Sequence, residues 1–134
     1  MVLFWNLDFY VFSMGEEENQ IMGFIDVKEK VIKTLGEFLE GNKEYIIEVY
    51  ISNPVTNHII GRMYVATDRT FKKDDKGFTL EWDNRQDIIF NNFSIPYDDI
   101  LVCYKEVDEY EQEMIFVILK CGISIDFGCC GMTI

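Results

Sequence analysis

The sequence contains little proline, histidine or positive charge, and it lacks any long apolar run. Its 134 residues include 2 prolines and 1 histidine, and no linker, repeat or low-complexity stretch divides it. The apolar N-terminus is interrupted by Asn6 and Asp8, so it falls short of the roughly 20 residues that span a bilayer. It also lacks the basic region and cleavage site of a signal peptide. These absences predict one globular domain, residues 1–134, in the cytoplasm and away from membranes.

The scarcity of positive charge is the most informative global property. The chain has 12 Lys and Arg against 24 Asp and Glu, which gives a formal net charge of −12 and a pI near 4.4. Such a surface repels phosphate backbones and anionic lipids, so we expect no direct binding to nucleic acid. It favours a protein partner with a basic surface. The simplest alternative is that the charge serves solubility alone.

Catalytic and cofactor motifs are also missing. The sequence has no nucleophile elbow, phosphate loop, dinucleotide fingerprint or zinc-protease motif. Its single histidine, His58, lies in a predicted turn without a nearby nucleophile. The cysteines show no C-x-x-C spacing, which favours reduced thiols over a metal or redox site. We therefore expect no cofactor, no metal and no enzyme activity; the cysteines are Cys103, Cys121, Cys129 and Cys130.

Carboxylates leave one enzymatic alternative open, a magnesium-dependent hydrolase with carboxylate ligands only. The candidate pairs are Asp74 with Asp75, Asp98 with Asp99, and Glu81 with Asp83. Each pair is also explained by its place in a turn or at the entry to a strand, where short acidic residues are common.

Aromatic residues are abundant, with 11 Phe, 7 Tyr and 2 Trp, and this composition favours β-strands. One helix is predicted at about residues 26–41, with Asp26 as its N-cap and Gly41-Asn42 as its stop. Its apolar stripe is expected to pack on a sheet. The stripe consists of Val27, Val31, Leu35, Phe38 and Leu39.

A two-residue alternation dominates the rest of the chain and predicts about nine strands. The expected fold is α+β, a mostly antiparallel meander that forms a curled sheet or partly open barrel, with the helix packed on it. The polar segment 68–77 is expected to be a hairpin tip between two of these strands. The predicted strands are a hairpin over 2–25, then 44–52, 59–67, 78–82, 87–95, 97–107, 113–121 and 123–127.

Negative charge is concentrated between Asp98 and Glu113, a stretch that contains seven acidic residues and one basic residue, Lys105. Acids on a rigid hairpin with an aromatic residue among them can imitate a run of phosphates. The leading hypothesis is a bacterial or phage inhibitor, of the anti-CRISPR or toxin-neutralising kind, that occupies the basic groove of a nuclease or another nucleic-acid enzyme. The predicted partner-binding residues are Asp98, Asp99, Glu106, Asp108, Glu109, Tyr110, Glu111 and Glu113.

The second hypothesis is a non-catalytic ligand-binding or regulatory β domain with an aromatic-lined pocket between helix and sheet. Its expected lining residues, which core packing explains equally well, are Trp5, Trp82, Phe90 and Phe93. In addition, "FSIPYDDIL" (93–101) followed by a hairpin that ends "ILKCGISIDFG" (118–128) resembles the middle strands of small bacterial pleckstrin-homology-like domains. That resemblance covers about a quarter of the chain in a pattern that many antiparallel sheets share, so we assign no family from it.

Overall fold

The computed structural model describes residues 27–82 and 92–131, and within them one α-helix precedes eight β-strands. Antiparallel pairing throughout, with no closed barrel in these two ranges, confirms the predicted α+β class with one helix. The predicted hairpin over 2–25, the N-cap Asp26 and the first part of strand 87–95 lie outside the described residues. The elements are α1 (Val27–Gly41), β1 (Ile47–Asn53), β2 (His58–Val65), β3 (Thr70–Lys73), β4 (Gly77–Glu81), β5 (Asn92–Pro96), a 3₁₀ turn (Tyr97–Asp99), β6 (Ile100–Val107), β7 (Glu113–Leu119) and β8 (Ser124–Cys129).

The strands form two sheets. The larger has the order β2-β1-β8-β7-β6, and the smaller has the order β3-β4-β5. Strands β6, β7 and β8 follow one another as a meander, and the sheet is completed where β8 pairs with β1, for example at Val49 and Phe127. This long-range pair joins the start of the β region to its end.

The helix α1 forms where the apolar stripe predicted it. Four stripe residues are buried, Val31, Leu35, Phe38 and Leu39, and the helix contacts mainly β6 and, to a lesser extent, β7. Its end is marked by Asn42, whose side-chain amide and backbone N–H both donate to the Phe38 carbonyl, at 2.8 and 3.1 Å. These bonds satisfy a carbonyl that the helix itself leaves free.

The core lies on the face of the larger sheet that α1 covers. Ile47, Val49, Ile115, Val117 and Phe127 are fully buried there. The smaller sheet contributes its own buried side chains to the same cluster. The alternation predicted for 78–82 is confirmed, because Phe78, Leu80 and Trp82 are all buried.

The prediction that residues 68–77 form one polar hairpin tip is wrong. Thr70–Lys73 is strand β3, which pairs with β4, so β2 and β4 belong to different sheets rather than to one hairpin. The reason is one apolar side chain, Phe71, whose ring lies 5.5 Å from that of Phe78 in an edge-on contact. Packing of this ring outweighs the polar composition around it.

Candidate functional site

The candidate site is the tip of the β6–β7 hairpin, residues 106–113, which we call the acidic tip. Its turn is built by Asp108, whose Oδ1 accepts hydrogen bonds from the backbone N–H groups of Tyr110 and Gln112 at 2.8 and 2.9 Å. Backbone bonds from Asp108 to Gln112 and from Glu111 to Asp108, both 3.0 Å, close the same loop. Asp108 therefore organises the tip, because its carboxylate oxygen is used inside the turn.

The other tip acids project into solvent. Glu106, Glu109 and Glu111 are exposed, and no Lys or Arg in the described residues forms an ion pair with them. Tyr110 is 77% exposed, which is unusual for a large aromatic ring. Glu113 differs, because its carboxylate lies 3.8 Å from the Lys105 ammonium. The tip thus presents three carboxylates without an ion-pair partner among the described residues, together with one exposed aromatic ring.

The acids of the tip point in different directions. Val107 pairs with Glu113 and Glu106 pairs with Met114 across the hairpin. Because neighbouring residues of a strand face opposite sides of the sheet, Glu106 and Glu113 lie on opposite faces. The tip therefore carries carboxylates on both faces of the hairpin, and the one on the Glu113 face is paired with Lys105.

Asp98 and Asp99 lie away from the acidic tip. They belong to the 3₁₀ turn before β6, and the Asp99 carbonyl accepts a 2.8 Å bond from the Lys120 N–H. Asp99 and Glu106, the first residue of the tip, are seven positions apart along the chain, a distance of roughly 23 Å at the usual rise of a strand. Of the eight predicted binding residues, the structure brings six together and places this pair at the other end of β6.

A cleft of about 900 Å³ opens between α1 and the hairpin, and it continues from the acidic tip. Tyr45 and Tyr104 are among its lining residues. Sequence reasoning missed this cleft because its walls come from segments about 70 residues apart along the chain. Its charged lining residues are Lys30, Lys33, Glu37, Lys105, Glu111 and Glu113.

The structure describes two of the four residues proposed to line an aromatic pocket, Trp82 and Phe93. Trp82 is buried, its ring meets that of Phe93 at 6.3 Å, and Phe93 in turn meets Phe127 at 6.1 Å. These three rings pack in the core. Trp5 and Phe90, the other two residues, lie outside the described part of the chain.

Of the carboxylates considered for magnesium, those of Asp74, Asp75 and Glu81 are engaged in structural contacts. Asp74 accepts bonds from the N–H groups of Lys76 and Gly77, at 2.7 and 3.0 Å, and these bonds lower its pKa. Asp75 forms an ion pair of 3.6 Å. Within residues 27–82 and 92–131 no group of three or more His, Cys, Asp or Glu is arranged to hold a metal; Asp83 lies outside these ranges.

The single histidine and the cysteines show no catalytic arrangement in the described residues. His58 is exposed at the start of β2. The cysteines are free thiols, and burial raises the pKa of Cys103 to about 11, which keeps this thiol protonated at neutral pH. No helix in the described ranges is long and apolar enough to cross a membrane.

One half-buried carboxylate, that of Asp126 on β8, lies on the face of the larger sheet opposite the core. It accepts hydrogen bonds from the hydroxyls of Ser124 and Ser52. Desolvation by burial raises its pKa, and the two hydroxyl bonds oppose that effect only in part. The folded state therefore holds the Asp126 proton to a higher pH than the unfolded chain does.

We expect Asp126→Asn to stabilise the protein at pH 7. As pH rises from the ordinary aspartate pKa of about 3.9, the unfolded chain loses its proton first, so stability falls until the folded carboxyl also ionises. The asparagine variant escapes this loss, and its advantage should vanish near pH 3. Urea midpoints at both pH values measure it, with Glu109→Gln as a control that removes the same charge from an exposed site. Equal shifts for both variants would contradict the assignment to burial.

Comparison of the chain with protein-family models, curated proteins and solved structures finds no match, pleckstrin-homology-like domains included. Function must therefore be argued from the residues of the site.

Proposed function

We propose that this protein is a non-catalytic inhibitor whose acidic tip occupies the basic groove of a nucleic-acid-binding enzyme. The observation that carries this proposal is the tip itself, where Glu106, Glu109 and Glu111 are exposed and form no ion pair with a described residue, and where the ring of Tyr110 is exposed. Unpaired carboxylates retain their full attraction for Lys and Arg side chains of a partner. A ring beside them adds area that is removed from water on contact.

Pre-organisation of the tip supports the proposal. Four hydrogen bonds centred on Asp108 hold the turn before any partner arrives. A segment that is already ordered loses little conformational entropy on binding, so more of the contact energy appears as affinity.

The charge of the whole chain supports the same mechanism. A net charge of −12 attracts a basic partner over long range and speeds its association at low ionic strength. The Debye length shrinks from about 30 Å at 0.01 M salt to about 3 Å at 1 M. Binding through the tip should therefore weaken steeply as salt is added.

Reversing two tip charges, in Glu109→Lys/Glu111→Lys, is expected to lower affinity for the partner about 100-fold, the scale of losing a few kcal/mol of charge pairing. The matched control is Asp98→Lys/Asp99→Lys, which changes the net charge equally at the far end of β6. The wild-type chain and both variants would be used as bait in lysate at low salt, and captured proteins identified by mass spectrometry. Fluorescence anisotropy of a labelled nucleic acid bound to the captured protein then measures competition.

We expect the captured protein to be basic. The wild type and the control should displace it from nucleic acid, and the tip variant should not. Equal displacement by the tip variant would contradict the role of the tip. Simultaneous binding of nucleic acid and this chain to the captured protein would contradict the blocking mechanism.

A second candidate function, binding of a small ligand, rests on the cleft between α1 and the hairpin. Lys30 and Lys33 have no ion-pair partner in the described residues, and a negatively charged ligand could bind to both. Saturable binding that Lys30→Met/Lys33→Met abolishes, and that Glu106→Lys/Glu109→Lys leaves intact, would favour this reading over inhibition by the tip, because neither Glu106 nor Glu109 lines the cleft.

A further inference from the structure

The face of the larger sheet opposite the core carries aromatic side chains on both sides of one carboxylate. Asp126 of β8 pairs with Tyr50 of β1 and, on its other side, with Phe116 of β7. Phe116 pairs in turn with Tyr104 of β6, and the two rings stack with their centroids 5.1 Å apart. Burial, and then the nearby charges of Glu106 and Asp126, raise the pKa of Tyr104, so this phenol and the Asp126 carboxylate are close enough to interact. Because partners across a sheet share one face, Tyr50, Asp126, Phe116 and Tyr104 form one row, which we call the outer row.

The carboxylate of the outer row is half-buried and has no cationic partner among the described residues. The hydroxyls of Ser52 and Ser124 donate to Asp126, and no Lys or Arg in the described ranges forms an ion pair with it. A carboxylate that loses part of its water is normally paired with a positive charge, because partial burial is costly to the ionised form. Asp126 is also expected to cost stability at neutral pH, since desolvation raises its pKa. A perturbed carboxylate that no cation neutralises, set among aromatic rings, marks a candidate binding site.

The same face of the sheet shows which ligand such a set of groups accepts. Arg62 of β2 lies 3.6 Å from the Glu48 carboxylate, and its guanidinium stands 5.9 Å from the rings of both Tyr50 and Tyr64. One carboxylate and two aromatic rings therefore hold an organic cation directly beside the outer row. Aromatic faces attract cations electrostatically, and most strongly where water is excluded. Around Asp126 the same kinds of group are present, but no described side chain supplies the cation.

We propose that the outer row binds a small organic cation, an alkylated ammonium group held by the Asp126 carboxylate and the rings of Phe116 and Tyr104. The two strands that flank β8 are roughly 10 Å apart, twice the strand spacing, which leaves room for one such group above the carboxylate. All four side chains of the row are partly exposed, so a small ligand can reach them. One carboxylate among rings favours an organic cation over a metal ion, which would need more oxygen ligands. The site lies on the opposite face of the sheet from the cleft, and the proposal does not depend on the proposed function.

Calorimetric titration of the wild type with choline tests the proposal, with the neutral analogue in which a tert-butyl group replaces the trimethylammonium group as the matched ligand. We expect choline to bind one site with a Kd of about 1 mM or tighter, and the analogue to bind at least about 10-fold more weakly, because only choline is charged. Asp126→Asn preserves the size of the side chain and should weaken choline binding about 10-fold or more. The control variant is Glu44→Gln, which removes one charge from an exposed position between α1 and β1 and should bind choline like the wild type.

A ring variant and a second ligand complete the test. Phe116→Leu keeps a large apolar side chain and should weaken choline binding about fivefold, because the aromatic face is lost. The amide of trimethyl-lysine carries the same cation on a protein side chain. Binding of choline supports a free small molecule as the ligand, and binding of the lysine derivative alone supports a modified protein side chain. The proposal is overturned if neither cation binds saturably up to about 10 mM, if the neutral analogue binds as tightly as choline, or if Asp126→Asn binds choline like the wild type.

Discussion

Gly77→Ala is expected to lower the free energy of unfolding by about 2–3 kcal/mol, the upper range for inserting one methyl group into a tight contact. A Cβ atom at Gly77 would lie 2.5 Å from the Ile95 carbonyl oxygen and 2.9 Å from the Pro96 Cα. Both atoms belong to the backbone of β5, which is paired with β4 through Gly77 and Pro96. The methyl group can be accommodated only if the two strands separate.

Gly128→Ala provides the matched control. A Cβ atom there would meet the Met114 Sδ at 2.6 Å, which is almost as close, but this neighbour is the end of a flexible side chain. Because methionine can change rotamer at low cost, we expect a loss below about 1 kcal/mol. Urea denaturation of both variants, compared by midpoint at unchanged slope, makes the test. Equal losses would show that the closeness of the contact matters and the rigidity of the neighbour does not.

The spacing of apolar residues along the chain predicted those elements whose buried face is formed by residues close together in sequence. The stripe of Val31, Leu35 and Phe38 marked α1 because helical spacing alone places these residues on one face. Phe78 and Leu80 marked β4 by the same logic at a spacing of two. The acidic tip was visible for a related reason, since its residues are neighbours in sequence and a hairpin keeps them neighbours in space.

Long-range contacts could not be predicted from such patterns. Nothing near Val49 indicates that its partner across the sheet is Phe127, and nothing near Asp98 shows how far β6 carries it from the acidic tip. The segment 68–77 was misjudged because its polar residues outnumber the single ring of Phe71, whose contacts lie in α1 and β4. The cleft escaped notice because α1 and the hairpin each supply only one wall.

Arg69→Met is expected to be the most damaging single replacement of a polar side chain, with a loss of about 2–4 kcal/mol for removing charge-assisted bonds and leaving their acceptors unpaired. Its guanidinium donates to four carbonyls, those of Asn42 at 2.7 Å, Tyr45 at 2.8 Å, Ala66 at 3.1 Å and Leu39 at 3.5 Å. Two of these acceptors lie in the connection between α1 and β1, and Leu39 lies in the last turn of the helix. One side chain therefore ties the end of α1 to the loop before β3.

The burial of Arg69 explains why methionine cannot compensate. Desolvation lowers the pKa of this half-buried guanidinium, but a shift from so high a value leaves it charged at neutral pH. The carbonyl oxygens replace the water that the guanidinium loses on burial. Without the guanidinium, these oxygens would remain partly buried with no comparable hydrogen-bond donor. Arg69→Lys should recover only part of the loss, because an ammonium cannot span four acceptors with the geometry of a planar fork.

Arg62→Met is the control for the loss of an arginine as such. Arg62 is exposed and forms one ion pair of 3.6 Å with Glu48, so its replacement should change the urea midpoint little.

Arg69→Met should in contrast also disturb the cleft, since Asn42 and Tyr45 line it, while the turn around Asp108 remains intact. A folded Arg69→Met protein is therefore expected to keep its binding through the acidic tip. Loss of that binding in a folded variant would mean that the partner contacts the cleft as well, and the interface would then extend from the tip to the end of α1.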